Sequence, residues 1–145
     1  MIPFRTSEEI AAGISAVVTH LSRRGVIGSP TETIYGFGSA VSAAAVARLA
    51  ALKGRAPGKP FLLLVASRDM IAQVGLRLTE AGERFAAAFW PGPLTLVLPG
   101  GERELPDVLR GPEGGVAVRW TSHPGASRLV SVLGAPITST SANRP

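Results

Sequence analysis

The chain has 145 residues, of which 46% are hydrophobic and 17% charged, so it suits one domain with a buried core and is too short for two full domains. No cysteine is present, which excludes a disulfide framework, a thiolate zinc site and a cysteine nucleophile. Fifteen Lys and Arg residues outweigh ten Asp and Glu residues for a net charge of +5, which favours an anionic partner without identifying it.

The first third of the chain begins with a clear helix signal. Thr6–Glu9 has the form of a capping box, and apolar residues then recur at helical spacing until Gly25, which predicts a first helix. Val26–Pro30 is predicted to be a short strand that ends at its proline. Ser29–Gly38 is interpreted as a loop whose glycines let the backbone approach a ligand closely, although on composition alone a turn rich in capping groups is the simpler interpretation. Ser42 is predicted to cap a second helix.

The rest of the chain continues this alternation of helices and strands, which predicts a single α/β domain. The predicted elements, in chain order, are a buried strand at Phe61–Val65, a short helix after Ser67, a helix at Leu78–Trp90, a strand at Leu94–Leu98, a surface loop with a turn of helix at Gly100–Gly115, a strand at Val116–Arg119, a helix at Pro124–Leu133 and a strand at Ala135–Thr138.

The N-terminal residues do not have the pattern of a secretory leader, since Glu8 and Glu9 lie close to Arg5 and no uninterrupted apolar run follows them. No stretch approaches the roughly 18 apolar residues that a membrane span needs. We therefore expect no membrane association and a cytoplasmic location.

The positive charge is concentrated in two segments that contain no acid. The first, Thr33–Arg68, holds five Lys and Arg residues, and the second, Gly114–Pro145, holds Arg119, Arg128 and Arg144. These segments are predicted to form opposite walls of one anion site.

Two polar loops strengthen the prediction of an anion site. Lys53–Lys59 places three cations within seven residues; a solvated basic loop is the simpler interpretation, but Pro57 would hold the charges at fixed separations, as phosphate binding requires. Ser139–Asn143 offers hydroxyls and one amide after a short strand. These groups suit either turn formation or neutral hydrogen bonds to phosphate and ribose oxygens.

Five motifs follow one another along the chain. They are Pro30–Gly38 (PTETIYGFG), Lys53–Arg55 (KGR), Trp90–Thr95 (WPGPLT), Val116–Arg119 (VAVR) followed by His123 and Pro124, and Ser141–Asn143 (SAN). In order and approximate spacing, this set resembles the YrdC/TsaC family of threonylcarbamoyl-AMP synthases, from about Ser7 to the last residue.

The resemblance implies a fold: a twisted, mostly open mixed α/β sheet with packed helices and a positively charged concave face. Family members usually continue beyond the S-x-N motif through further strands and helices, whereas this chain ends at Pro145. We therefore expect a single YrdC-like domain over residues 1–145 that lacks the family's usual C-terminal portion.

The resemblance also implies an activity. Family enzymes are nucleotidyltransferases that join L-threonine, bicarbonate and ATP into threonylcarbamoyl-AMP and release pyrophosphate. ATP is then a substrate, and Mg²⁺ is expected without identified ligands. The threonylcarbamoyl-transfer machinery uses the product to modify adenosine 37 of tRNA.

By the same resemblance, eight residues receive roles, and no metal ligand is assigned. Lys53 and Arg55 are expected to be catalytic. The expected ATP-binding residues are Lys53, Arg55, Lys59, Ser141 and Asn143, and the expected threonine-binding residues are Thr31, Arg119 and Ser139. Glu32 has three open interpretations: it orients Thr31, helps to hold Mg²⁺, or stabilises its loop.

Two alternatives to the synthase stay open on the sequence. The first is a binding module without catalysis, which uses the same basic cavity to hold double-stranded RNA or a tRNA. The second is the related carbamoyl-adenylate-forming domain of hydrogenase maturation proteins, which sits in much larger chains. His20 is interpreted as a surface residue and His123 as a structural one.

Overall fold

The computed structural model describes residues 2–55 and 59–143. Pro57, expected to hold the charges of its loop at fixed separations, and Arg144, expected to belong to one wall of the anion site, lie outside the described residues. The α-helices are α1 (Ser7–Ser22), α2 (Ala43–Lys53), α3 (Arg68–Gln73), α4 (Glu80–Phe89) and α5 (Pro124–Leu133). The strands are β1 (Val26–Pro30), β2 (Tyr35–Ser39), β3 (Leu62–Val65), β4 (Leu96–Leu98), β5 (Val116–Trp120) and β6 (Ile137–Ser141), and a 3-10 turn spans Asp107–Leu109.

The predicted helix starts are confirmed by their capping bonds. At α1, the Thr6 hydroxyl accepts the backbone N–H of Glu9 at 3.1 Å, and the Glu9 carboxylate accepts the N–H of Thr6 at 3.2 Å. At α2, the hydroxyl of Ser42 accepts the backbone N–H of Ala45 at 3.3 Å. These bonds satisfy N–H groups that the first turn of a helix leaves without an intrahelical partner.

The strands form one mixed sheet in the order β1-β2-β6-β3-β5-β4. The β3/β5 pair is parallel, and the other pairs are antiparallel. Helices α1 and α5 pack against each other and against β1, and the core includes the fully buried Leu21, Leu49, Leu63 and Leu129. The expected mixed α/β architecture is confirmed.

The prediction of a loop over Ser29–Gly38 is wrong, because most of this segment forms a hairpin of β1 and β2 around a short turn. Both Gly36 and Gly38 allow the neighbouring strand β6 to approach closely. A Cβ at either position would lie 2.7 Å from a β6 carbonyl oxygen, that of Thr140 or Thr138 respectively.

The last strand also differs from its prediction. It runs over Ile137–Ser141 instead of Ala135–Thr138, so the hydroxyls of Ser139 and Ser141 lie on a strand and not in a loop after it. Its partners β2 and β3 fix this extent through pairing, which local sequence does not reveal. Across the described ranges, no helix combines the length and apolar character needed to cross a membrane.

Candidate active site

A pocket of about 350 Å³ opens on one face of the sheet, across strands β2, β6, β3 and β5. Alternate residues of a strand face the same side, and the pairing register brings these residues next to one another. The lining pairs are Gly36 with Ser141, Leu62 with Ser139, and Leu64 with Arg119.

On β3 and β5, the residues between these positions face the other side of the sheet and belong to the core. Leu63 and Val65 of β3 and Val116 and Val118 of β5 are fully buried. Since a shift by one residue would exchange the two faces, burial of these four side chains fixes which residues line the pocket.

Arg119 forms one wall of the pocket. Its Nε and Nη2 donate to the hydroxyl of Thr95 at 3.2 and 3.0 Å. Its Nη1 donates to the hydroxyl of Thr33 at 3.1 Å and to Glu32 Oε1 at 3.3 Å. The guanidinium is therefore held on both sides, by the β1–β2 turn and by the segment before β4.

Glu32 joins this wall to the end of β5. Its second carboxylate oxygen accepts the hydroxyl of Thr121 at 2.6 Å, and Thr121 is itself buried and accepts the backbone N–H of His123 at 3.2 Å. The side chains of Arg119 and Glu32 are only 16% and 12% exposed, so solvent screens this ion pair less than a pair at the surface.

Thr31 lies at the start of the same turn, and its hydroxyl organises the backbone. It donates to the carbonyl of Ile34 at 2.8 Å and accepts the N–H groups of Thr33 and Ile34, each at 3.3 Å. A turn whose backbone groups are bonded to one side-chain hydroxyl is held in one conformation. Thr31 therefore forms a fixed edge of the pocket.

Arg55 approaches the pocket from the segment after α2. Its Nη1 donates to the hydroxyl of Thr140 at 3.0 Å, and its Nε and Nη2 donate to the carbonyls of Lys59 and Pro60, each at 2.7 Å. The guanidinium also stacks 4.5 Å from the ring centroid of Phe61. Partial burial lowers the pKa of Arg55 from its ordinary value, but arginine remains charged in proteins.

Lys53 binds the end of β6 instead of facing the pocket. Its ammonium donates to the carbonyl of Ser141 at 2.9 Å, to the side-chain oxygen of Asn143 at 3.1 Å and to the carbonyl of Asn143. The hydroxyl of Ser141 also donates to the side-chain oxygen of Asn143. The KGR and SAN motifs, which lie about 90 residues apart in sequence, thus form one hydrogen-bonded unit.

The structure therefore brings together most of the eight predicted residues. Five line the pocket, namely Thr31, Arg55, Arg119, Ser139 and Ser141. Lys53 and Asn143 are hydrogen-bonded to Ser141. Lys59 is exposed, and its carbonyl accepts a bond from Arg55. Their assigned roles toward ATP and threonine stay predictions.

Sequence reasoning missed two residues of the site. Thr95 closes the Trp90–Thr95 motif, and that position was the available signal for it. Thr121 directly follows β5, but its contact with Glu32 spans 89 positions, and no local pattern indicates such a distant partner.

The two histidines lie where the sequence placed them. His20 is exposed and its Nε2 lies 3.1 Å from the carbonyl of Val26. His123 precedes α5, and its Nδ1 accepts the N–H of Ala126 at 3.2 Å, which is a structural capping role.

The donor set of the pocket does not fit a protein-bound Mg²⁺. Magnesium prefers oxygen ligands, carboxylates above all, and both oxygens of Glu32 are already engaged by Arg119 and Thr121. Within residues 2–55 and 59–143, no three His, Asp or Glu side chains cluster as metal ligands.

This fold and site define a class: a mixed α/β protein with an open sheet face where two guanidinium groups and several hydroxyls converge. The chain belongs to the Sua5/YciO/YrdC family, described as "Telomere recombination", whose pattern it matches over residues 19–145.

Named relatives agree with this membership. The chain is 40% identical over 119 residues to a threonylcarbamoyl-AMP synthase of Pyrococcus abyssi and 39% identical over 140 residues to one of Thiobacillus denitrificans. These matches cover 81% and 96% of the chain, which spans 35% and 74% of the two relatives.

A solved structure agrees as well. The fold superposes on Pyrococcus abyssi Sua5 complexed with L-threonine with a TM-score of 0.82 at 36% identity, covering 90% of this chain and 38% of that one.

Proposed function

We propose that this chain is a threonylcarbamoyl-AMP synthase, a nucleotidyltransferase that uses L-threonine, bicarbonate and ATP and releases pyrophosphate. The main support is that Arg55 and Arg119 line the same pocket. In addition, the chain is 39% identical, over 96% of its length, to a threonylcarbamoyl-AMP synthase. The reaction joins two anions, a carbamate and a nucleotide phosphate, and two separate guanidinium groups suit that pairing.

The threonine end of the pocket would lie at Arg119. A guanidinium binds a carboxylate through charge and paired N–H donors. Ser139 would add a hydroxyl from β6, and Thr31 would contact the substrate through the turn that its own hydroxyl holds in place. With its carboxylate held there, the substrate amine attacks the carbon derived from bicarbonate, and a carbamate forms with loss of water.

The nucleotide end would lie at Arg55. A carbamate oxygen attacks the α-phosphorus of ATP, the bond between that phosphorus and the bridging oxygen breaks, and pyrophosphate leaves. Arg55 uses three of its five N–H donors within the described residues, which leaves donors for phosphoryl oxygens. Such a transfer depends on positioning and charge stabilisation more than on a general base.

Lys53 would act on the nucleotide together with the unit that it organises. Its bonds to Ser141 and Asn143 hold the SAN motif where hydroxyl and amide groups can bind phosphate or ribose oxygens. An incoming phosphate would compete with these carbonyls for the ammonium. Lys59, exposed beside Arg55, would add charge at the pocket mouth.

The remaining parts of the proposal concern the surroundings of the reaction. Mg²⁺ would enter with ATP and be held by phosphates and water, since the described side chains do not form a site for it. The product would pass, in the cytoplasm, to the machinery that transfers threonylcarbamoyl to tRNA. The net positive charge of this chain would favour direct contact with tRNA.

The test is pyrophosphate release by the purified chain with ATP and Mg²⁺, with and without L-threonine and ¹³C-bicarbonate. We expect release that requires both co-substrates and a product containing the labelled carbon. Arg55→Ala should abolish it, and Arg84→Ala, at an exposed position on α4, should not. Release from ATP alone, or ATP binding without any release, would refute the proposal, and salt-sensitive RNA binding without release would support the binding module.

A further inference from the structure

Glu32 makes contacts that the proposed chemistry does not use. It is a partly buried carboxylate beside the pocket, bonded through one oxygen to Arg119 at 3.3 Å and through the other to Thr121 at 2.6 Å. Thr121 is 1% exposed, so the carboxylate is fixed to the interior of the protein through that bond.

The hydrogen bonds of Arg119 show how the fixed carboxylate of Glu32 affects the guanidinium. An arginine has five N–H donors, and those of Arg119 reach Thr95 from Nε and Nη2, and Thr33 and Glu32 from Nη1. Counted over the residues that the structure describes, four donors are used and one Nη2 donor is left. The Thr95 and Thr33 contacts are neutral hydroxyls on exposed residues.

A substrate carboxylate can replace those hydroxyls, because a charged acceptor binds a guanidinium more strongly than a neutral one. Glu32 cannot be displaced so easily, because it is charged and is held from behind by Thr121.

We propose that Glu32 is a positioning residue that holds the Arg119 guanidinium at the angle required to bind the carboxylate of the substrate. This inference rests on the proposed function and extends it. The side chain of Arg119 has several rotatable bonds, and ordering it before the substrate arrives reduces the entropy lost on binding. Glu32 acts through Arg119 and does not touch the substrate.

The contacts distinguish this role from two others. Orientation of Thr31 is already provided by the bonds of its hydroxyl to Ile34 and Thr33. A metal ligand would need oxygen lone pairs directed at the ion, whereas both oxygens of Glu32 already accept bonds from Arg119 and Thr121.

The test compares Glu32→Gln and Thr121→Val with a control, Glu83→Gln. The control breaks the exposed Arg68–Glu83 ion pair, and neither residue of that pair lines the pocket. Calorimetry measures the Kd for L-threonine and for L-threoninamide, which lacks the carboxylate charge. Steady-state pyrophosphate release separates the KM for threonine, the KM for ATP and kcat.

We expect Glu32→Gln to raise the Kd and KM for L-threonine by about tenfold, the loss of one charged hydrogen bond, without changing the KM for ATP or the binding of L-threoninamide. Thr121→Val should shift threonine binding in the same direction by less, since Glu32 keeps its charge, and it carries the test if Glu32→Gln does not fold. Glu83→Gln should change neither the Kd nor the KM for L-threonine.

Three results would overturn the inference. Unchanged or tighter binding of L-threonine by Glu32→Gln would show that Glu32 is neutral or competes with the substrate. Equal losses for L-threonine, L-threoninamide and ATP would show a general structural defect. A wild-type chain that neither binds L-threonine nor releases pyrophosphate would remove the proposed function and this inference together.

Discussion

The ammonium of Lys53, at the last residue of α2, donates to the carbonyl of Ser141, at the last residue of β6, at a distance of 2.9 Å. The same ammonium reaches Asn143, and Lys53 is 8% exposed. A lysine expected to contact phosphate is therefore also a structural link between two motifs, and its loss should affect stability as well as activity.

The replacement Lys53→Met tests this double role. Methionine has a similar length but no donors, so the carbonyl of Ser141 and the amide of Asn143 lose a charged partner, and the free energy of unfolding should fall by about 1–3 kcal/mol. Urea unfolding measures this change. Arg48→Met, at an exposed position of the same helix, is the control and should stay within about 0.5 kcal/mol of wild type. A fully stable Lys53→Met chain would contradict the structural link.

Arg55→Lys tests whether the shape of the guanidinium matters beyond its charge. Lysine keeps the positive charge but loses the planar fork and the stacking on Phe61. We expect the KM for ATP to rise by about tenfold or more, as for the loss of a charged hydrogen bond, with threonine binding unchanged. Arg84→Lys on the exposed side of α4 should have no effect. Equal ATP dependence for Arg55→Lys and wild type would mean that only charge is needed.

Gly36→Ala tests the close approach of β2 to β6. The added methyl carbon would lie 2.7 Å from the carbonyl oxygen of Thr140, so the two strands must separate, at a cost of about 1–3 kcal/mol. Thermal or urea unfolding measures it. In Gly28→Ala, the matched control in β1, the methyl group meets only the ring of Phe37 at 3.8 Å, which is ordinary contact. Equal stability of the two variants would argue against the strand pairing.

The N-terminal capping box predicts a pH dependence of stability. The backbone N–H groups of Arg5 and Thr6 hold the pKa of Glu9 below its ordinary value of 4.5. A carboxyl whose pKa is lower in the folded than in the unfolded state stabilises the fold above its unfolded pKa, and this stabilisation is lost as the pH falls through the folded pKa.

Melting temperatures of wild type and Glu9→Gln, measured from neutral pH to below pH 4.5, check this expectation. The wild type should be the more stable at neutral pH, and the difference should shrink as the pH falls through the folded pKa of Glu9. Glu8→Gln, at the neighbouring exposed position, is the control. A difference that is constant with pH would show that the carboxylate charge plays no part in the cap.

Much of the secondary structure follows from local sequence. The capping box of α1 and the Pro124–Leu133 bounds of α5 were predicted because a helix is defined by capping groups and apolar spacing within a few residues. The motif set also identified the family, and five of its eight assigned site residues line the pocket.

The local sequence did not determine β2 or the anchor of Arg119. Tyr35–Ser39 contains two glycines and no clear alternation, and it is a strand because β1 and β6 pair with it. The Glu32–Arg119 and Glu32–Thr121 contacts span 87 and 89 positions. Strand pairing and partly buried ion pairs depend on partners that only the folded chain brings together. The tertiary structure alone therefore decided which face of the sheet carries the pocket and how Arg119 is oriented in it.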